Sequence, residues 1–262
     1  MDRKLEAFGR LLGVMDELRE KCPWDRKQTF ESLRNNTIEE TFELVDAIAD
    51  GDMENIKKEL GDMLLHVVFY AKMGSERGAF DIADVTDALC DKLIYRHPHV
   101  FGEVSVTGSE QVVQNWEALK LKEKDRKKGV MSGVPRSMPP LVKAYRIQEK
   151  AAAVGFDWEK KEDVWDKVKE ELGEAEAEMR REDADAMEDE FGDLLFAVIN
   201  AARLYGVNPE TALERCNRKF LSRFSRVEAK AEAENKSVRD LTLAEMEAAW
   251  EEAKTEERGK RE

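Results

Sequence analysis

The residues best placed to do chemistry are carboxylates, and they come in two matching sets. Glu39, Glu40 and Glu43 stand in Ile38-Glu-Glu-Thr-Phe-Glu-Leu44, followed by Glu59-Leu-Gly-Asp62. The same types recur as Glu170, Glu171 and Glu174 and as Glu190, Gly192 and Asp193, every one displaced by 131 positions. Each set lies in an apolar-periodic run, which predicts helices. Residues three apart share a helix face, so Glu40 pairs with Glu43 and Glu59 with Asp62. Gly51-Asp52 suits a tight turn, which makes the two helices antiparallel. Four carboxylates then face each other in each copy: Glu40, Glu43, Glu59 and Asp62, and Glu171, Glu174, Glu190 and Asp193. So much negative charge calls for a cation between the groups. An all-oxygen donor set suits Mg²⁺, with Mn²⁺ as the alternative. A di-iron site of the ferritin type needs Glu-x-x-His, and neither copy has the histidine. Charged residues are 38% of the chain, so one such motif would read as a solvated acidic face. A solvated face has no reason to keep its spacing through a repeat.

The elements that must position these groups are helices throughout. Six prolines and the near absence of β-branched alternation predict an all-α protein of two tandem repeated helical-bundle units. The units are expected over residues 1–125 and 141–254, with a linker at 126–140 rich in Gly, Ser and Pro and a charged, disordered tail at 255–262. Helices are expected near 2–20, 29–50, 52–77 and 81–96 in the first unit. The second should hold 141–153, 161–182, 184–205, 209–234 and 242–254. Core faces read as Ile56, Leu60, Met63, Leu64, Val67, Val68 and Ala71 on one helix, and Val168, Leu172, Ala175 and Met179 on another. His66 reads as a packed or hydrogen-bonded histidine on that apolar helix rather than a ligand. His97-Pro98-His99 reads as a helix stop. Trp24, after Pro23, could stack on a base, but a core position is the simpler reading.

Charge and cysteines narrow the function. A net charge of −14 is a poor match to nucleic acid or to an anionic membrane surface. A free nucleotide remains compatible if metal and local cations neutralise its phosphates. Three cysteines form no disulfide or zinc pattern, which points to a reduced cytoplasmic setting. Candidate phosphate-holding cations also repeat. Lys92 and Arg96 share a helix face, as do Lys219 and Arg223, and each pair precedes a Trp-Glu-x-x-Lys motif at Trp116 or Trp250. The copies differ at two positions. Lys167, one turn before Glu171, corresponds to Asn36, and Asn200 corresponds to Phe69. The second unit therefore reads as the more phosphate-ready of the two.

These motifs together resemble the MazG family of the all-α nucleoside triphosphate pyrophosphatase superfamily, over about residues 5 to 254. E-E-x-x-E followed by E-x-x-D is similar to that superfamily's magnesium-binding signature. Cys22-Pro-Trp-Asp25, Gly133-Val-Pro135 and Val154-Gly-Phe-Asp-Trp158 resemble further family segments. The resemblance implies Mg²⁺-dependent cleavage of nucleoside triphosphates, NTPs and dNTPs alike, to monophosphate and pyrophosphate. It implies Glu171, Glu174, Glu190 and Asp193 as metal ligands and Lys167, Lys219 and Arg223 on the phosphates. Trp250 would lie over the nucleotide or pack the last helix, and Glu170 or one of the ligands would act as base. It also implies a homodimer with pockets built across subunits. A rival reading stays open: a helical interaction or regulatory protein with a vestigial nucleotide site.

Overall fold

The computed structural model describes residues 2–108, 111–112, 115–116, 119–120 and 129–259, with only the backbone of 258. Every regular element among them is helical. The chain divides into two compact units, Met1–Lys120 and Leu121–Glu262. The first part of the 126–140 linker and the centre of Trp116-Glu-Ala-Leu-Lys120 lie outside the described residues.

Unit 1 begins with α1 (Arg3–Lys21), then a 3₁₀ turn at Asp25–Lys27 and the helices α2 (Phe30–Asp50) and α3 (Met53–Glu76). It continues through α4 (Ile82–Arg96) into a short α5 (Pro98–Phe101), with Pro98 opening α5. The α2–α3 hairpin is set by local chemistry. Thr29 and Ser32 cap the start of α2 reciprocally. Gly51 closes α2 with φ 69°, a left-handed turn that glycine adopts without a Cβ clash. Asp52 then caps α3 through the Glu54 and Asn55 amides, each at 3.1 Å. Met15, Leu33, Val68, Phe69 and Met73 form the core that locks α1 onto the hairpin. Arg19 adds a polar clamp, donating to Glu76 at 2.9 and 2.5 Å and to the Asp25 and Gln28 carbonyls.

Two expectations about this core fail. Trp24 is 59% exposed; the residue the turn buries is Asp25, whose carbonyl meets Arg19. Leu60, Leu64 and Val67 do not face the core either, being 54%, 39% and 43% exposed. An apolar helix reads as buried all round from its sequence, but the neighbouring helices cover only the Val68, Phe69 and Ala71 side.

Unit 2 holds α6 (Pro140–Ala152), a 3₁₀ turn at Lys161–Asp163, α7 (Val164–Arg181), α8 (Ala184–Leu204), α9 (Pro209–Ala233), a 3₁₀ turn at Val238–Asp240 and α10 (Leu243–Gly259). The α7–α8 hairpin repeats the α2–α3 hairpin. Glu182 takes the place of Gly51, with φ 58°, and Asp183 caps α8 as Asp52 caps α3. Of the stripe expected on α7, Ala175 is buried and Val168 half-buried, while Leu172 and Met179 are exposed. Val227, Ala231, Leu241 and Ala249 pack α9 against α10. The last helix runs through 255–259, where a disordered tail was expected. Its Arg223–Glu257 and Arg226–Glu256 pairs extend the helix contact into that stretch.

Candidate functional site

Each hairpin turns three glutamates toward one another. In unit 1, carboxylate oxygens of Glu40, Glu43 and Glu59 lie within 4.8 Å of each other. In unit 2 the same holds for Glu171, Glu174 and Glu190, the three equivalent positions. The fourth expected member, Asp62 or Asp193, falls outside each group. Its side chain is one methylene shorter than the glutamate one turn earlier. Asp62 is half-buried and close enough for its charge to act on Glu40, while Asp193 is exposed. Glu39 and Glu170 are exposed at the rim.

The electrostatics show the strain of this arrangement. Desolvation and the charges of Asp62, Glu43, Glu59 and Glu39 push the Glu40 carboxyl up from its ordinary value. In unit 2 the group pushed up is Glu174, by desolvation and by its neighbours Glu171 and Glu190. At the position equivalent to Glu40, Lys167 pairs with Glu171 at 2.6 Å, and it also reaches Glu170 at 2.9 Å. These two hydrogen-bonded carboxylates hold the Lys167 ammonium well above the usual lysine range. Unit 1 has Asn36 at that position but is not without a cation: Lys58 donates to Glu59 at 2.9 Å. Lys58 escaped the sequence reading because adjacent helix positions do not share a face. Only the length of the lysine side chain brings it back to Glu59.

One feature tests whether a cation fits. Glu59 is 1% exposed, and its Oε2 is buried without a hydrogen-bond partner. Glu190 Oε2, at the equivalent position of the other unit, is in the same condition. An unpaired buried carboxylate oxygen is costly, and two at matched positions point to a common missing partner. Hard oxygen donors converging from two helices fit Mg²⁺ or Mn²⁺.

The cationic pairs are arranged differently from the sequence expectation. Arg223 donates from Nε and Nη2 to Glu257 at 3.0 and 2.8 Å, and its guanidinium lies 5.6 Å from the Trp250 ring centre. Trp250 also packs on Phe220, and Lys219 is exposed. Arg96 lies 5.6 Å from the Trp116 ring centre, so the arginine-on-tryptophan contact occurs in both units. Lys92 is exposed. The described partners of Arg223 are thus on α10, and the hairpin carboxylates are not among them. Asn200 accepts from Arg203 at 3.0 and 2.8 Å, whereas its counterpart Phe69 is buried in the unit 1 core.

His66 is buried as expected, and it has polar partners, Thr37 and Tyr70, that the sequence did not single out. Thr37 Oγ1 lies 3.1 Å from His66 Nδ1 and 2.7 Å from the Tyr70 hydroxyl, and burial pushes the imidazole pKa down. The equivalent positions in unit 2 are Val168, Ala197 and Ala201.

Fold and site together define a class: an all-α protein in which antiparallel helix pairs set E-E-x-x-E against E-x-G-D, twice in one chain. The MazG nucleotide pyrophosphohydrolase domain matches residues 28–101 and 159–227. The chain is 43% identical to a nucleoside triphosphate pyrophosphohydrolase of Escherichia coli (strain K12), over 97% of this chain and 99% of that protein. It is 45% identical to the nucleoside triphosphate pyrophosphohydrolase/pyrophosphatase MazG of Thermotoga maritima, over 94% and 95% of the two chains. The chain belongs to the MazG nucleotide pyrophosphohydrolase family.

Proposed function

We propose that the protein hydrolyses nucleoside triphosphates, NTPs and dNTPs with broad base tolerance, to nucleoside monophosphate and pyrophosphate. The observation that carries this reading is the pair of three-glutamate clusters, each keeping one buried carboxylate oxygen unpartnered, in a chain of this family. Glu171, Glu174 and Glu190 would hold Mg²⁺ or Mn²⁺ in unit 2, with Asp193 at the edge, and Glu40, Glu43, Glu59 and Asp62 would do so in unit 1. When bound, the ion supplies positive charge to the phosphate oxygens and to the leaving pyrophosphate.

The protein's own groups do the rest. Lys167 sits on the Glu170–Glu171 edge and can exchange a carboxylate for a phosphate oxygen as substrate arrives. Glu170, or one of the clustered carboxylates, takes the proton of the attacking water. The P–O bond between the α and β phosphates breaks, and pyrophosphate departs. Lys219, Arg223 and Trp250, with Lys92 and Arg96 in unit 1, are assigned to the nucleotide across subunits of a homodimer.

Support for the homodimer comes from the helix surfaces. Leu60, Leu64 and Val67 form an exposed row on α3, and Phe191, Leu195 and Val198 form the same row at the equivalent positions of α8. Apolar rows of this kind mark association surfaces. Among the described residues no helix is long and apolar enough to cross a membrane. With three free cysteines, this supports a reduced, cytoplasmic protein.

The deciding experiment follows product release from several NTPs and dNTPs with Mg²⁺, with Mn²⁺ and in EDTA. Pyrophosphate should appear first, and only with metal. Orthophosphate as first product, or turnover that survives EDTA, would sink the reading.

A further inference from the structure

The two hairpins take their cation from different helices. In unit 2 it is Lys167, on the first helix of the pair, one turn before Glu171. In unit 1 that position is Asn36, and the cation is Lys58, on the second helix and next to Glu59. The position equivalent to Lys58 in unit 2 is Asp189, so the charge there is reversed. Each cluster thus has a lysine on it, supplied from opposite sides of the same kind of hairpin. Proximity on α3 alone does not explain this. The neighbouring Lys57 pairs with the exposed Glu54 instead.

Three observations make Lys58 more than a surface counterion. Its Nζ donates to Glu59 Oε1 at 2.9 Å, so the ammonium reaches the most buried member of the cluster. Its charge also acts on Glu43 and Asp62, which places it over the group of carboxylates. Its own side chain is 64% exposed, so it enters from the open side, where a substrate arrives. Glu59 Oε2 meanwhile stays buried without a partner, the vacancy that fits a divalent ion. With Glu59 engaged by such an ion, the ammonium is released to bond a phosphate oxygen held on the same ion. We propose that Lys58 is the phosphate-holding residue of unit 1, doing from α3 what Lys167 does from α7; the inference rests on the nucleotide reading above. The phosphate chain is then gripped along the α3 edge in unit 1, and along the edge of α7, the helix equivalent to α2, in unit 2. Lys58 reads phosphate charge alone, so its ligand is a metal-bound di- or triphosphate chain, nucleoside-linked or inorganic. Unit 1 is on this account a second polyphosphate site and not a vestige of the first.

Calorimetric titrations of the full chain test this, in a Glu174→Ala parent that lacks one member of the unit 2 cluster. Lys58→Met keeps the aliphatic stem and removes the charge, while Lys58→Arg keeps the charge. Mg²⁺ alone should bind Lys58→Met as tightly as the parent or more so, because a competing cation has left the carboxylates. That result also shows the variant to be folded. The Mg²⁺ complexes of α,β-methylene-ATP and of inorganic pyrophosphate should bind Lys58→Met about tenfold more weakly, and Lys58→Arg should restore most of the loss. The opposite signs separate a phosphate contact from a counterion, whose removal moves both titrations the same way. Phosphate binding unchanged or tightened in Lys58→Met, or weakened together with Mg²⁺ binding, would overturn the assignment. Pyrophosphate bound through Lys58, with no binding of the nucleotide, would refute the nucleotide reading and leave the Lys58 assignment standing. A parent that binds neither ligand overturns both.

Discussion

Glu59 and Glu190 each carry a buried oxygen with nothing to bond, which makes the metal-free protein less stable than it could be. Glu59→Gln and Glu190→Gln should therefore each raise the melting temperature in EDTA by a few degrees and shrink the stabilisation that Mg²⁺ gives the wild type. A ligand at a hundred times its Kd contributes about 2.7 kcal/mol. A wild-type melting curve indifferent to Mg²⁺ would remove the metal site. The pH dependence has a defined sign. The folded-state pKa of Glu40 is raised above its ordinary 4.5, so its contribution to stability is fully present below that value. The contribution is lost as pH rises through the folded pKa. In EDTA the wild type should lose stability relative to Glu40→Gln as pH climbs out of the acid range, and urea midpoints measured side by side would show it. For turnover, Glu174→Ala should lower pyrophosphate release roughly a hundred-fold or more, the scale of losing a group that stabilises transition-state charge. Glu43→Ala should leave most of it, because Lys167 pairs twice at the unit 2 site. Lys58 gives unit 1 a cation too, so equal losses would mean that both sites catalyse. The glutamates were legible in the sequence because a helical period and a repeat both constrain them. Lys58 and the Thr37 and Tyr70 hydroxyls gathered at His66 were not, since what marks each is a long side chain folding back or a contact between helices.

The hairpin turn shows how two sequences reach one geometry at unequal cost. Gly51 and Glu182 occupy the same left-handed position, with φ 69° and 58°. A residue with a Cβ is strained there and glycine is not. Glu182→Gly should stabilise unit 2 by roughly 0.5–1 kcal/mol, and Gly51→Ala should destabilise unit 1 by a similar or larger amount. Chemical denaturation of both variants measures this directly; a destabilised Glu182→Gly would mean that the glutamate makes contacts worth more than the strain. Most helix ends were legible to within a few residues because caps and prolines announce them; the end of α10 was not, because the charged stretch 255–259 carries no such stop signal and is held by Arg223 and Arg226. Burial was less so. Leu60, Leu64 and Val67 are as apolar as Val68, and only the placement of α1 decides which of them is covered.

At the scale of the whole molecule, the matching exposed rows on α3 and α8 predict self-association. Light scattering should give twice the chain mass at micromolar concentration, and Leu64→Glu or Leu195→Glu should shift the protein toward monomer and remove the concentration dependence that association gives the wild-type melting temperature. A monomeric wild type would contradict the homodimer. The −14 charge and the two-fold repeat were readable from composition and offset, whereas the outward rows emerge only once each unit's core is known. The closure of each carboxylate site by a two-residue turn has a kinetic meaning as well. Every glutamate of a cluster lies within about 20 residues of its partners, at 40–59 or 171–190. Contacts so near in sequence cost little loop-closure entropy, so topologies rich in them reach the native state quickly. Each site can thus assemble on its own stretch of chain as it leaves the ribosome, the first finished while the second is still being made.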